Sequence, residues 1–488
     1  MSDNNLVFAA PESLGIPSQA ILDFLNEMEV NRLPIHSYLF MRHGQVAAEG
    51  YCPYFDANHK HRMYSISKSF TSVAVGMLID EGKLSLTDKV AAIFPEYIPE
   101  NPSPYILEAT VRDLLTMATF NETNAYEWDS PDFVKAFFDN PYPKHKPGTV
   151  FHYDTAATVT LCGIVEKLTG KPILDYMRPV LDAIGFSRDA WCIKTPEGRS
   201  WTGSGIMCTA RDLAKFGLFC LHRGEVNGRQ LVSREYMEAA TSKQINTFAS
   251  YSGVRSFGYG YQFWMMENGG FACCGMGSQF AFLSPVCDTV MVITADTQGI
   301  DNAEDFIRDS YYRLLTRLSD EPLPENAALN RKLAKRSSLS IPLPDGKTTT
   351  SLAGRISGVK YDFEPNLFGF RWMRVEVGDG VCTLTYEKKT GVHSIELFMG
   401  RYGDFSFPDA YWGRRIGVSD THYHCISAAA WDNDNTLLGL VHSVDDYLGT
   451  IKMQLSFVGD TLTVFWTVSA EAFFGDYRGY LAGHAVKA

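Results

Sequence analysis

The sequence predicts an α+β fold in which helices flank an antiparallel sheet that carries a helical insertion, followed by a C-terminal all-β domain. Segments with strand character occur at 37–51 and again between 258 and 295, whereas 120–250 is mainly helical in pattern. Sheet-forming segments that enclose a helical stretch favour one sheet with helices packed on it. Beyond about residue 350, short β-rich runs separated by Gly, Asp and Asn indicate a small barrel or sandwich.

The individual elements follow from hydrophobic spacing and from start and stop signals. Apolar residues at helical spacing predict a helix that begins at Ser65 and stops near Gly82. Thr110 is the predicted N-cap of a later helix. Other predicted helices lie at 21–30, 155–170, 209–224 and 303–318, and predicted strands lie at 37–41, 46–51, 258–266, 278–284, 289–295, 381–386, 450–457 and 462–468.

Proline-rich stretches near 322 and 341 bracket a polar segment with the composition of an interdomain linker. We therefore predict a first domain at 1–320, a linker at 321–349 and a C-terminal β-barrel or sandwich domain at 350–488. That β-domain is interpreted as a structural or dimerising module, or as a domain that restricts substrate size, and the sequence leaves a homo-oligomer open.

Composition excludes several classes of function. The formal net charge is −12 and no basic stripe offsets it, which argues against a nucleic-acid partner. No apolar run is long enough to span a membrane, and the N-terminus lacks a signal-peptide pattern. The ten cysteines are scattered along the chain, which predicts reduced thiols in a cytoplasmic protein.

A serine and a lysine stand three residues apart in Ser65-Ile-Ser-Lys68, at the start of a predicted helix. At that spacing both side chains lie on one helix face. A lysine amine in apolar surroundings can accept the serine proton and make the hydroxyl a nucleophile. The structural alternative is an N-cap serine beside a solvated lysine. The same pattern recurs at Ser357-Gly-Val-Lys360 in a strand-like region, where we assign it no function.

Tyr153 comes just before another predicted helix, in Tyr153-Asp-Thr155. A tyrosine in this position is commonly a packing residue. Beside a serine–lysine pair, however, its phenol can act as a base or relay a proton to a leaving group.

These motifs, in this order, resemble the serine hydrolase superfamily that contains class C β-lactamases, D,D-peptidases, family VIII esterases and 6-aminohexanoate-dimer hydrolases. The resemblance covers roughly residues 10–318 and adds a third region, Ala272-Cys-Cys-Gly-Met-Gly-Ser-Gln-Phe280. It implies a β-lactamase/transpeptidase-like fold in which Ser65 is acylated, Lys68 activates it and Tyr153 shares the proton. It also implies an oxyanion hole formed by the N–H of Ser65 and one near Gln279, with Thr155, Gly277 and Ser278 nearby.

The third region departs from the family pattern. Met276 stands where relatives carry a histidine, or Cys273 where they carry a lysine, so neither offers a cation for a substrate carboxylate. This disfavours β-lactams and D-Ala-D-Ala peptides, which present a carboxylate, and favours a small neutral amide or ester, or one that another residue recognises. The expected substrate is a small molecule or a short peptide. The alternative is a non-catalytic binding or sensing protein with a degenerate third motif.

The remaining candidates carry less weight. Trp128, Tyr126 and Trp201 are aromatic residues that either line a cleft or belong to the core. Paired histidines at 59 and 61 and at 422 and 424 invite a metal interpretation, but nothing nearby completes a ligand set. We expect no metal and no cofactor.

Overall fold

The computed structural model describes residues 6–122, 126, 130–139, 143, 145–249, 255, 257–336, 338–408, 411–413, 418–421, 423–469 and 477–486. The chain forms two compact units, one made of Met1–Ser340 and one that begins at Ile341. Together they confirm the predicted α+β fold with a C-terminal all-β domain.

The first unit contains the larger share of the helices. They are α1 (Ser18–Val30), α2 (Ser67–Asp80), α3 (Val90–Ile93), α4 (Pro104–Glu108), α5 (Val111–Leu115), α6 (Phe133–Phe138), α7 (Thr155–Thr169), α8 (Ile173–Tyr176), α9 (Arg178–Ala183), α10 (Ala210–Leu221), α11 (Arg234–Ala240), α12 (Ala303–Leu315) and α13 (Ala327–Lys335). Its strands are β1 (Val7–Phe8), β2 (Ile35–Arg42), β3 (Gln45–Tyr51), β4 (His61–Arg62), β5 (Trp191–Cys192), β6 (Ile206–Cys208), β7 (Glu225–Val226), β8 (Arg229–Gln230), β9 (Trp264–Met265), β10 (Phe271–Gly275), β11 (Gln279–Ser284) and β12 (Thr289–Ala295).

Seven strands of this unit form one sheet in the order β1-β3-β2-β12-β11-β10-β9. Every pair is antiparallel except β1 with β3. All residues of β2, β10, β11 and β12 are buried. A strand that is buried on both faces needs cover on both sides of the sheet.

Helices provide that cover. Tyr311 of α12 stacks on Phe282 of β11, with ring centroids 5.2 Å apart. Gly217 of α10 lies against Leu283 and Val290. Because Phe282 and Leu283 are consecutive strand residues and point to opposite faces, α12 and α10 cover opposite sides of the sheet. The remaining helices between β3 and β9 form the predicted helical insertion, in which α2 is buried along most of its length and packs against α7.

Most predicted elements are confirmed within a few residues. The hairpin of β2 and β3 turns at the predicted residues, and Thr110 forms a reciprocal capping box with Asp113. The predicted strand at 258–266 is wrong over most of its length, since only β9 is a strand. The reason is local: Gln262 has a positive φ of 64°, and its buried side chain hydrogen-bonds the carbonyls of Leu114 and Leu115.

The segment predicted as a linker contains a helix. Helix α13 (Ala327–Lys335) packs against α1, and its Leu333 is buried. Arg336 adds an ion pair with Glu29 of α1, with Nη2 and Oε2 2.6 Å apart. Part of the polar segment therefore belongs to the first unit.

The second unit is built around one curled sheet, beside which β18 and β19 form a separate two-stranded sheet. The ten strands of the curled sheet run in the order β16-β15-β14-β13-β24-β23-β22-β21-β20-β17, and β16 also packs against β20, so the sheet nearly closes on itself. Alternate residues of its strands point inward and are buried, as in a small barrel. Its elements are α14 (Ala353–Ile356), β13 (Val359–Phe363), β14 (Trp372–Gly378), β15 (Val381–Lys388), β16 (Gly391–Phe398), β17 (Gly403–Ser406), β18 (Tyr411–Gly413), β19 (Val418–Thr421), β20 (His424–Asn433), β21 (Thr436–Ser443), β22 (Thr450–Val458), β23 (Thr461–Ser469) and β24 (Tyr477–Ala485).

All ten cysteines lie in the described ranges, and none of them forms a disulfide. Among the helices that the structure describes, none combines the length and the apolar character needed to cross a membrane.

Candidate active site

Ser65 and Lys68 lie side by side where the chain enters helix α2. Ser65 belongs to a 3-10 turn, Tyr64–Ile66, and α2 begins two residues later than the predicted start, at Ser67. The Lys68 Nζ donates a hydrogen bond to the Ser65 Oγ over 3.0 Å. Ser65 is partly exposed whereas Lys68 is 1% exposed. The hydroxyl can therefore be reached from solvent, and the amine is held beneath it.

The surroundings of Lys68 favour its neutral form. Burial lowers the pKa of the amine to about 7, the Asp154 charge opposes that fall, and the Arg62 charge adds to it. The amine also donates to the Gly203 carbonyl oxygen. At neutral pH a large share of Lys68 is thus an uncharged amine directed at a serine hydroxyl.

The backbone just before the serine is held in an unusual conformation. Tyr64 has a φ of 47°, a value that a bulky residue adopts only when its surroundings impose it. The ring of Tyr64 is buried under the Arg62 guanidinium, whose Cζ is 4.6 Å from the ring centroid. Arg62 also lies over Trp201 and donates to the carbonyl oxygen of Ser204 at 2.8 Å. These contacts fix the turn that presents Ser65.

Tyr153 lies beside the same lysine. The Lys68 Nζ is 5.0 Å from the centroid of the Tyr153 ring. Trp264 of β9 stacks on the same ring, with centroids 5.5 Å apart and planes 21° apart, and Tyr259 lies edge-on to it with centroids 6.4 Å apart. The three chemical residues of the sequence analysis, Ser65, Lys68 and Tyr153, are therefore brought together by the fold.

Asp154, the next residue, is the N-cap of α7 and accepts a hydrogen bond from the N–H of Ala156 at 2.9 Å. Thr119 and Asn121 donate to its second oxygen at 3.1 and 3.3 Å. Burial nevertheless raises the pKa of Asp154 to about 6, against the lowering effect of those hydrogen bonds. Sequence reasoning assigned no role to Asp154 or Arg62. The sequence carried a signal for each of these residues. Asp154 stands directly before a predicted helix, and Arg62 stands three residues before Ser65.

The third region approaches the nucleophile from the sheet. A Cβ added to Gly275, at the end of β10, would lie 2.5 Å from the carbonyl oxygen of Met63. Only glycine allows this strand to run so close to the segment that precedes Ser65. Cys273, further back on β10, is buried, and Met276, the next residue after Gly275, is 37% exposed.

A tight turn follows and links β10 to β11. Gly277 and Ser278 have φ values of 73° and 67°. The buried Gln279 amide donates to the carbonyls of Met276, Gly277 and Ala295 at 3.0, 3.1 and 2.6 Å. Ser278 Oγ lies 2.6 Å from the hydroxyl of Thr297. Gln279 and Ser278 hold the turn from inside, and Met276 faces outward.

Thr155 begins α7 and is partly exposed. A Cβ added to Gly203 would lie 2.5 Å from the Thr155 methyl, so Thr155 borders the segment whose carbonyl binds Lys68.

Tyr126 and Trp201 are buried at 4% and 2% exposure, and the Trp201 Nε1 donates to the Tyr126 hydroxyl at 3.1 Å. Their burial makes them core residues, while Trp128 falls outside the described residues.

The second Ser-x-x-Lys copy has different contacts. Ser357 Oγ accepts a hydrogen bond from the N–H of Val377 at 3.0 Å, and Lys360 pairs with Asp362 at 3.1 Å. Each of the two side chains thus has another partner, which agrees with the absence of an assigned function.

The histidines do not form a metal centre in the part of the chain that the structure covers. His36 and His61 are in contact, with Nδ1 and Nε2 3.0 Å apart, and burial lowers the pKa of His61 to about 3. No group of three or more His, Cys, Asp or Glu side chains within the described ranges is arranged to hold a metal ion. His424 is exposed near Asp404, and His422 lies outside those ranges.

Comparison with known proteins shows the family to which the chain belongs. Residues 27–315 match the Beta-lactamase family, and because they make up more than half of the chain, this protein belongs to that family. The chain is 29% identical to the 6-aminohexanoate-dimer hydrolase of Paenarthrobacter ureafaciens over 293 residues, which cover 52% of this chain and 71% of the relative.

Solved structures share the fold. The octameric penicillin-binding protein homologue from Pyrococcus abyssi matches with a TM-score of 0.50 at 17% identity, covering 95% of this chain and 99% of that one. EstCE1, described as a hydrolase with promiscuous acyltransferase activity, matches with a TM-score of 0.50 at 16% identity, covering 62% and 99%. The match to the Pyrococcus abyssi protein spans nearly the whole chain and therefore includes the C-terminal β-unit.

Proposed function

We propose that this chain is a serine hydrolase that acts on a small amide or ester through an acyl-enzyme on Ser65. The observation that carries the proposal is the 3.0 Å contact between the Ser65 hydroxyl and the buried Lys68 amine. An amine whose pKa burial lowers to about 7 can accept the serine proton near neutral pH. Membership of a hydrolase family and the name of the Paenarthrobacter relative support the reaction class.

In this mechanism Lys68 takes the proton from Ser65 Oγ while that oxygen attacks the substrate carbonyl carbon. The carbonyl oxygen becomes negatively charged in the tetrahedral intermediate. We assign its stabilisation to the N–H of Ser65 and to one N–H in the segment from Gly275 to Gln279, because this segment follows the close approach of β10 to Met63. Loss of one such donor typically costs roughly 3–4 kcal/mol of transition-state stabilisation.

Lys68 and Tyr153 then pass the proton to the leaving group of the substrate. Tyr153, whose ring centroid is 5.0 Å from the Lys68 Nζ, relays it to the leaving group. Water then attacks the acyl carbon of the Ser65 ester while Lys68 and Tyr153 accept its proton. The bond between Ser65 Oγ and the acyl carbon breaks, the acid is released, and the same proton passes to Ser65 Oγ, which regenerates the enzyme. Thr155, Met276, Gly277 and Ser278 remain the proposed substrate or oxyanion contacts, as does Trp128.

The test is covalent labelling with a fluorophosphonate, followed by intact-mass analysis and peptide mapping. The wild-type chain should gain one adduct on Ser65 and hydrolyse a p-nitrophenyl ester. Ser65→Ala should lose the adduct and at least about 1,000-fold in turnover. Ser357→Ala is the matched control, because it removes the serine of the second Ser-x-x-Lys pattern, and it should label like wild type.

A measurement of the free energy of unfolding distinguishes a variant that has lost catalysis from one that has lost its fold. Ser65→Ala should unfold within about 1 kcal/mol of wild type, since Ser65 is not a core residue. Full labelling of Ser65→Ala would remove Ser65 from the mechanism. A folded wild-type chain that takes up neither reagent would favour the alternative, a non-catalytic binding or sensing protein.

A small-molecule or short-peptide substrate, a homo-oligomer and a cytoplasmic location stay predictions of the sequence. The oligomeric state is measured directly by light scattering coupled to size-exclusion chromatography. The homologue from Pyrococcus abyssi is described as octameric, so an assembly of many subunits is the first state to test for.

A further inference from the structure

Gln262 is a buried residue whose backbone is held in an unusual conformation. Its φ is 64°, a value that residues other than glycine adopt infrequently, and the residue is 2% exposed. Residues kept in such conformations cluster at functional sites, where the surrounding structure imposes them. Gln262 has no chemical role in the proposed mechanism, so its conformation needs another explanation.

Three helices of the first unit meet at Gln262. The Ser69 hydroxyl of α2 donates to its backbone carbonyl at 2.8 Å. The Thr158 hydroxyl of α7 donates to its side-chain Oε1 at 2.6 Å. Its Nε2 donates to the carbonyl oxygens of Leu114 and Leu115, the last two residues of α5, at 3.0 and 2.9 Å. One residue therefore joins α2, α7 and α5.

The hydrogen-bonded positions on α2 and α7 lie close to the catalytic groups. Ser69 directly follows Lys68 in α2. Thr158 is the fourth residue of α7, and Tyr153 lies two residues before that helix. Because backbone hydrogen bonds join helical residues four positions apart, Ser69 and Thr158 move with the starts of their helices. A partner shared by these two residues therefore restricts how far Lys68 and Tyr153 can separate.

We propose that Gln262 is a positioning residue, which fixes the separation of Lys68 and Tyr153 by tying helices α2 and α7 to one backbone position. The Lys68 Nζ lies 5.0 Å from the centroid of the Tyr153 ring, and the proton relay between them depends on that arrangement. A displacement of about 1 Å from the productive geometry can cost about 100-fold in rate. The catalytic part of this inference rests on the proposed function, whereas the geometric part does not.

The first test removes one of these hydrogen bonds and keeps the shape of the side chain. Thr158→Val lacks the donor to Gln262 Oε1, so kcat for p-nitrophenyl hexanoate should fall about 3- to 10-fold, with KM within about 2-fold of wild type. Thr160→Val is the matched control on the same helix, because Thr160 Oγ1 is buried without a hydrogen-bond partner among the described residues. Its kcat should stay within about 2-fold of wild type. Equal losses in the two variants would overturn the inference.

Gln262→Met removes every hydrogen bond of the side chain but keeps a side chain of similar length. We expect kcat to fall about 10- to 100-fold with little change in KM. The value is taken per active site, counted by fluorophosphonate labelling, so that unfolded molecules do not contribute. A residue with a purely structural role would instead lower the melting temperature or the number of labelled sites. An unchanged kcat per labelled site would therefore contradict the proposal.

The two substitutions should not be additive. If Thr158 acts through Gln262, Thr158→Val should lower kcat by less than about 2-fold further in a chain that already carries Gln262→Met. Losses that multiply in full would show that Thr158 acts independently, and the shared partner would be excluded.

Crystal structures of the wild type and of Gln262→Met test the geometry without turnover, and Thr158→Val replaces Gln262→Met if that variant does not fold. The distance from Lys68 Nζ to the Tyr153 ring should differ by more than the roughly 0.5 Å within which catalytic groups are held. A wild type that takes up no fluorophosphonate and hydrolyses no ester would refute the proposed function. The comparison of distances would still decide this inference, because an unchanged distance would refute it.

Discussion

The buried side chains of Arg62 and Asp154 shift the pKa of the Lys68 amine in opposite directions. Burial is the dominant influence on the pKa of Lys68, Asp154 raises that pKa, and Arg62 lowers it. All three residues are less than about 2% exposed, so solvent screens their interactions weakly. The protonation state of the base is therefore set by burial and, to a smaller extent, by two charged residues outside the Ser65–Lys68 pair.

This balance predicts the pH dependence of the reaction. The neutral amine is the active form, so kcat/KM for p-nitrophenyl hexanoate should rise with pH, pass its midpoint near the Lys68 pKa of about 7 and level off above it. A pH–rate profile between pH 5 and 9 measures this. A profile that is flat through that range would exclude Lys68 as the titrating base.

Asp154→Asn shifts that profile in a known direction. Its carboxylate favours the ammonium form of Lys68, so removal of the charge should lower the pKa of Lys68 and move the rising limb to lower pH. Asparagine can still cap α7, which keeps the local structure. A limb that moves to higher pH, in a variant of unchanged thermal stability, would contradict this electrostatic assignment.

At the scale of elements, the site depends on how closely strand β10 approaches the turn at Ser65. Gly275→Ala would place a methyl group 2.5 Å from the Met63 carbonyl oxygen, which is backbone and cannot rotate away. The strand or the turn must then shift. We expect a loss of about 1–3 kcal/mol in the free energy of unfolding, together with a fall in kcat.

Chemical denaturation and ester kinetics measure both effects. Gly378→Ala, at the end of β14, is the control, since nothing lies within 4 Å of the added Cβ, and it should change neither value appreciably. If Gly275→Ala keeps wild-type activity and stability, the close approach of β10 is not required for the position of Ser65.

At the scale of the whole molecule, the two compact units have separate cores. Leu455 of β22 is fully buried inside the curled sheet of the second unit. Leu455→Ala should lower the stability of that unit by about 2–5 kcal/mol, because it leaves a cavity. Calorimetry should show this as a shift of one transition while another keeps its midpoint.

Ester hydrolysis at 25 °C by Leu455→Ala should remain within about 2-fold of wild type, because Ser65, Lys68 and Tyr153 all belong to the first unit. A large loss of activity in a variant whose first transition is unchanged would show that the β-unit takes part in turnover. That result would favour its interpretation as a domain that restricts the substrate.

Local patterns were sufficient for much of the fold. The hairpin of β2 and β3, the Thr110 cap and the strand β12 depend on short-range spacing and turn residues, so they could be predicted from neighbouring positions. The segment 258–266 could not, because its aromatic residues are buried by packing, while Gln262 bonds to carbonyls about 150 positions away. Those partners are not visible in a local window.

The sequence by itself determined the order of the chemical residues, the two-part α+β and all-β organisation, and the proximity of Ser65 to Lys68 three positions later. These depend on local patterns that can be seen along the chain. Only the tertiary structure decided that Tyr153 lies beside Lys68 and that Arg62 and Asp154 act on its pKa. Burial and contacts between distant segments cause those effects, and both exist only once the chain has folded.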